Sequence, residues 1–246
     1  MGPGVQWWTL PDTGASILGA RGPGTAVVLH VLRMAQTRKT VSWPRKLFHF
    51  GMIATTGLVV ALSGLPHGLA VAIMAVAALV LGGLDVLRLV SPRWNERCRK
   101  EFAAILRREE ECGLATSTWF LLGAVATMMM SPLPFAGLAF LYLAAGDPVA
   151  SWVGVRFGRI KLPGGKSLEG SLALVGVCSV LGTLFLGLTG AAAWHVAPLL
   201  AMAGAFAAAA AEWLPLGFVD DNFRVPVATA AAFVAVAAML MPPVIV

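Results

Sequence analysis

Between Gly146 and Ser171 the chain reads G-D-P-V-A-S-W-V-G-V-R-F-G-R-I-K-L-P-G-G-K-S-L-E-G-S. The stretch opens inside an apolar run, where it places one carboxylate, Asp147. It then passes through a Gly-rich basic turn and closes on Lys166, Ser167, Glu169, Gly170 and Ser171. A carboxylate near the middle of a membrane helix costs about 2.5–3.5 kcal/mol on insertion scales, so such acids default to function. On a helix, Asp147, Ser151, Gly154 and Gly158 lie on one stripe. That stripe offers a metal ligand, a hydroxyl and room for close approach of a ligand. Its other reading is a tight helix seam with Asp147 ion-paired. The Gly164-Gly-Lys-Ser167 piece is not a P-loop. G-x-x-x-x-G-K-[ST] requires glycine where Ile160 stands, and the preceding element is a helix. Backbone N–H groups and one lysine can still cradle phosphates at the start of a helix.

Four further clusters carry the remaining polar chemistry. Arg45 and His49 share one helix face beside Lys46, which suits a phosphate or anchors the helix at an interface. Asp85 and Arg88 are three residues apart, with Asn95 beyond. They either neutralise each other or present a carboxylate to the Asp147 site. The basic stretch Arg93–Arg108 runs into Glu109-Glu110-Glu111 and Thr116-Ser117-Thr118, which reads as a solvated face followed by ligand-binding or back-bonding hydroxyls. Glu212 precedes Asp220-Asp221-Asn222. Adjacent carboxylates and an amide suit Mg²⁺ shared with phosphates, and also suit an ordinary turn.

Apolar helices must position these groups. Of the 246 residues 58% are hydrophobic and only 12% charged, against about 25% charged in soluble domains. The expected fold is all-α: a polytopic membrane bundle with about seven spans, at 47–65, 68–88, 114–131, 133–155, 169–190, 195–213 and 226–245. Residues 93–111 read as an interfacial helix. Every Lys and Arg falls within 21–46, 88–108, 156–166 or at Arg224, and every acid except Asp12 maps to the same side. Basic connections stay cytoplasmic. The N-terminus is therefore expected inside and the C-terminus outside, with the site on the cytoplasmic face, of the inner membrane in a bacterium. The net charge of +6 then serves anionic headgroups and nucleotides rather than nucleic acid.

Residues 1–45 read as a loose cytoplasmic extension, with Met34 a candidate alternative start, and residues 46–246 as one transmembrane catalytic domain. Cys98, Cys112 and Cys178 lack CxxC spacing, so they read as free thiols.

Taken together, R-K-L-F-H at 45–49, the Glu110–Thr118 piece, G-D-P-V-A-S-W-V-G-V-R-F-G at 146–158, K-S-L-E-G-S at 166–171, Glu212 and D-D-N-F-R-V-P at 220–226 form a recognisable set. This set resembles the dolichol kinase, phytol kinase and CTP-dependent diacylglycerol kinase family, which is related at a distance to phosphatidate cytidylyltransferases. The resemblance covers roughly residues 45–230. It departs at Thr118-Trp119, where many relatives carry Tyr or Phe.

The resemblance implies transfer of the γ-phosphoryl of CTP to a lipid alcohol, an isoprenoid alcohol or diacylglycerol, with a divalent cation such as Mg²⁺. On that footing Asp147 with Asp221 or Asn222 is expected to hold the metal. Lys166, Ser167 and Ser171 are expected to bind phosphate oxygens, with Ser151, Gly154, Gly158 and Gly170 lining the nucleotide. Arg45, Lys46 and His49 are expected to compensate charge. Asp147, Glu169 and Glu110 are the candidates to orient or deprotonate the hydroxyl. The rival readings are a CDP-lipid-forming cytidylyltransferase and a transporter. The oligomeric state is not legible.

Overall fold

Turn residues and the ends of the apolar runs set the helix boundaries. The computed structural model describes residues 43–101, 110, 113–162, 165–214 and 219–240, with side chains from Lys46 onward and without that of Arg99. The expected extension, the Arg45 side chain, the remainder of the charged run after Glu101, Cys112 and Gly164 lie outside the described residues.

Among the described residues eight helices follow in order: α1 (Trp43–Leu62), α2 (His67–Val90), α3 (Pro92–Glu101), α4 (Thr116–Met130), α5 (Leu133–Phe157), α6 (Leu168–Thr189), α7 (Ala197–Trp213) and α8 (Asp221–Leu240). Among the described residues the only β pairing is an isolated bridge between Lys161 and Ser167. The short polar α3 stands where an interfacial helix is expected, and the other seven helices match the seven apolar runs. Four of them, α2, α5, α6 and α8, are long and apolar enough to cross a membrane; the apolar stretches of α1, α4 and α7 are shorter.

The last helix starts at Asp221, five residues before the apolar run. Asp220 accepts the backbone N–H of Asn222 at 2.9 Å, so it caps an orphan donor of the first turn. Asp221 and Asn222 are therefore helical residues rather than loop residues. A carboxylate at this end also complements the helix dipole.

The centre of the bundle is α5. Phe135 through Ala144 are buried almost without interruption. Helix α5 packs against α1, α6 and α8, while α7 bridges α6 and α8, and α4 joins α2 to α8. Small residues permit this closeness. A Cβ on Gly57 of α1 would sit 2.8 Å from the Gly137 carbonyl oxygen of α5, and one on Gly123 of α4 would sit 2.7 Å from the Phe223 Cα of α8. Outward faces are strongly apolar. Leu79 and Val80 of α2, Val180 of α6 and Phe206 of α7 are all exposed. An apolar exterior of this kind is what lipid solvates.

Helix direction alternates along the chain, so the N-termini of α1, α4, α6 and α8 meet the C-termini of α2, α5 and α7. Ion pairs between Lys46 and Asp147 and between Lys166 and Glu212 join these ends directly. Charged residues scattered over four connections in the sequence thus share one end of the bundle.

Candidate functional site

Two buried polar clusters occupy that end. In the first, Asp147 sits deep in α5, immediately before Pro148. Proline donates no backbone N–H, so the Ala144 carbonyl loses its usual helical partner at this level. From α1, Lys46 Nζ donates to Asp147 Oδ2 at 2.6 Å and to Ser151 Oγ at 2.8 Å. Ser151 donates to the other carboxylate oxygen at 3.3 Å. Asp147 and Ser151 thus work as a pair one turn apart, and the lysine balances the acid.

Opposite them, the connection from α5 to α6 folds back as a small hairpin. Leu162 and Lys166 pair through a backbone bond of 3.0 Å, and Gly165 adopts a φ of 75°. Only glycine takes that conformation cheaply, which explains the glycine before Lys166. The hairpin aims Lys166 at α7 and α8, where its Nζ lies 3.3 Å from Glu212 Oε2 and 3.1 Å from Asp221 Oδ2. Burial opposes the Lys166 charge, but Glu212, Asp221 and Asp147 together hold its ammonium above the ordinary lysine range. Arg224 ties Asp221 to the carbonyls of Ala211 and Leu214 at the end of α7, a favourable place for a cation.

His49 links α1 to α8. Its Nε2 lies 2.6 Å from Asn222 Oδ1. The Asn222 amide nitrogen donates to Asp220, which turns the amide oxygen toward the ring, so His49 Nε2 is the donor. Lys46, His49, Asp147, Glu212, Asp221 and Asn222 line one cavity of about 130 Å³. Glu110, Thr116, Ser117 and Asp220 complete its polar wall, and Phe48, Met52 and Leu143 its apolar wall.

Several predicted site residues stand elsewhere. Ser167 caps α6 by accepting from the Gly170 N–H at 3.1 Å, and Ser171 donates to the Ser167 carbonyl and accepts from Trp213. Both hydroxyls are buried and committed to protein partners. Gly154, Gly158 and Gly170 form the seam between α5 and α6. A Cβ on Gly154 would meet Ser167 Oγ at 2.8 Å, and one on Gly170 would meet the Ala150 carbonyl oxygen at 2.6 Å. The stripe that begins as a site at Asp147 and Ser151 ends as helix packing. Glu169 accepts from the backbone N–H groups of Arg159 and Ile160, so it braces the hairpin. Glu110 accepts from the Thr116 backbone and hydroxyl at the start of α4, while still facing the cavity.

The second cluster is the Asp85–Arg88 pair. Arg88 donates to Asp85 at 2.9 Å, to Asn95, and to the carbonyls of Glu110 and Gly113. Asp85 accepts from the Ala115 N–H at 2.7 Å and from the Thr118 hydroxyl. The pair is a clasp between α2 and the segment entering α4, not a wall of the Asp147 cavity.

Among the described residues, no three His, Cys, Asp or Glu side chains converge as a ready-made metal cage. The donors present are hard oxygens: two carboxylates and an amide from α5 and α8. Mg²⁺ is commonly held by one or two carboxylates with substrate phosphates supplying further ligands, and these residues fit that pattern.

The chain is similar to the CTP-dependent diacylglycerol kinase 1 of Saccharomyces cerevisiae, at 25% identity over 202 residues, covering 75% of this chain and 69% of the relative. It is also similar to the protein of the same name from Eremothecium gossypii, at 30% identity over 167 residues, covering 60% of this chain and 52% of the relative. The chain thus spans about half the length of the second relative. No family profile matches the chain, and no solved structure matches it.

Proposed function

We propose that this chain is a membrane lipid kinase that transfers the γ-phosphoryl of CTP to diacylglycerol at the cytoplasmic face. One observation carries the reading. Lys46 and acids from α5, α7 and α8 line a single cavity at the basic end of the bundle, and Lys166 of the α5–α6 hairpin pairs with two of those acids. The donor and acceptor come from the two relatives, both CTP-dependent diacylglycerol kinases by name. The positive-inside rule supports a cytoplasmic location for this basic end, and the seven apolar runs support a reading with seven spans.

Phosphoryl transfer needs positioning and neutralisation of charge rather than covalent help from the protein. Lys46 lines the cavity, and Lys166 stands behind its Glu212 and Asp221 wall, so the two lysines together would compensate the charge of a triphosphate. His49 Nε2, now donating to Asn222, can donate to a phosphate oxygen instead. Asp147 and Asp221, with the Asn222 amide oxygen, would hold Mg²⁺. When bound, that ion would neutralise charge on the phosphate oxygens. Lys46 pairs with Asp147 and Lys166 with Asp221.

The acceptor hydroxyl needs a carboxylate to take its proton. Glu169 is turned away on the hairpin backbone, and Glu110 is engaged with Thr116. Glu212 is the better placed. Its side chain is 3% exposed, it lines the cavity, and its Oε2 makes no hydrogen bond among the described residues beyond the ion pair to Lys166. The lipid oxygen then bonds to the γ-phosphorus as the bond to the β–γ bridging oxygen breaks. CDP leaves with that electron pair, and the hydroxyl proton passes to Glu212.

The test is purified protein with γ-labelled CTP and diacylglycerol in mixed micelles. Label in phosphatidate is the expected result. A protein that labels no lipid alcohol would refute the kinase reading.

A further inference from the structure

Two separate concavities lie along α1. Along α1 the cavity uses Phe48, His49 and Met52. A second, mostly apolar groove of about 220 Å³ uses Thr55, Thr56, Val59, Val60 and Ser63 of the same helix. The steps from 48 or 49 to 52, then 55 or 56, then 59 or 60, then 63, are the three- and four-residue steps of one helical face. The groove therefore lies next along the same face of α1 as the cavity. Its other wall is α2, through Ala70, Ile73 and Met74. Helix α1 packs mainly on α5, and α2 mainly on α4, which leaves the gap between the two successive helices.

We infer that this groove holds one acyl chain of the acceptor lipid whose hydroxyl enters the cavity, an assignment that rests on the lipid kinase reading. Length and chemistry both fit. From Met52 to Ser63 the stripe runs roughly 16 Å at 1.5 Å per residue, the reach of a hydrocarbon chain rather than a headgroup. The stripe loses its charge beyond His49. Val59 and Ile73 are 57% and 54% exposed on the groove walls, so a chain lying there covers side chains that the bundle leaves open. The lipid enters sideways between α1 and α2, with its polar end led along α1 toward His49 and Lys46.

Val59→Trp fills the groove from an exposed position far from the charged cavity, and Ile73→Trp does so from the opposite wall. Both are compared with wild type for KM on long-chain dioleoylglycerol and short-chain dihexanoylglycerol, with CTP binding measured in parallel. The expected result is a KM for the long-chain lipid raised at least tenfold in each variant. Short-chain KM and CTP affinity should stay within twofold of wild type. Equal effects on both lipids, or no effect on either, would overturn the groove assignment while leaving the kinase reading intact. A wild-type protein that phosphorylates neither lipid would remove the kinase reading and the groove's role with it.

Discussion

The Asp85–Arg88 clasp and the Asp147 cavity lie at the same end of the bundle and are built from the same residue types, yet their hydrogen bonds are spent differently. Arg88 and Asp85 are 5% and 8% exposed, and they share five side-chain bonds with Asn95, the backbone of Glu110, Gly113 and Ala115, and Thr118. Around Asp147 the lysines hold acids that stay partly open: Asp147 is 29% exposed, Lys166 29% and Asp221 37%. Among the described residues, Glu212 keeps an oxygen without a hydrogen bond. A satisfied buried charge network fixes structure, whereas one that surrounds a cavity and leaves capacity unused is arranged for a guest.

Exchanging the roles of the two clusters is the sharpest way to break this contrast. The largest effect on activity should follow Asp147→Asn, which keeps shape and removes charge. Transfer should fall by a hundredfold or more, on the order of losing one preorganised electrostatic group, while the thermal melt in detergent stays near wild type. A large loss of stability would place Asp147 with the clasp instead. Arg88→Ala should show the opposite pattern. It strands Asp85 and three carbonyl or amide partners, at a cost of about 3–5 kcal/mol for breaking a buried pair. The melting temperature should drop sharply, and the protein that remains folded should keep its CTP KM.

Smaller effects refine the boundary of the cavity. Lys166→Ala should raise the CTP KM about tenfold or lower kcat comparably, as expected for one lost charge-assisted contact of about 1.5 kcal/mol. Glu212→Gln should lower kcat with little change in CTP KM. If Glu212 served only to hold Lys166, the KM would move instead. The smallest change is expected for Ser167→Ala. It removes a helix cap worth about 1 kcal/mol, so a modest shift in melting temperature with unaltered kinetics is the expected result. A CTP KM raised as far as in Lys166→Ala would return Ser167 to the phosphate site.

Much of this contrast is already visible in the chain. Runs of apolar residues between Gly, Pro and Ser turns mark all seven apolar helices, because in lipid the length of a helix and its hydropathy are tied together. The confinement of Lys and Arg to alternate connections marks the charged end. The pairing pattern is less legible. Asp147, Ser151, Gly154 and Gly158 share a stripe, but spacing alone does not show that the stripe crosses α6, so that Asp147 faces the cavity, Ser151 bonds to Asp147 and Lys46, and the two glycines pack against Ser167. Asp221 and Asn222 look like a turn because helix α8 begins before its apolar part, on an Asp220 cap. Glu212 gives the weakest signal. It is a single acid at the end of an alanine-rich helix, and only the fold brings it to Lys166, 46 positions earlier.

The central claim is that the Asp147 cavity moves the terminal phosphoryl of CTP to a lipid hydroxyl. Its most direct test compares α- and γ-labelled CTP on purified wild type and Asp147→Asn with diacylglycerol as acceptor. The account predicts γ-label in phosphatidate with wild type, no α-label in lipid, and neither label with the variant. Label from the α position in the lipid product would identify cytidylyl transfer instead, and undiminished γ-transfer by Asp147→Asn would move the chemistry out of this cavity.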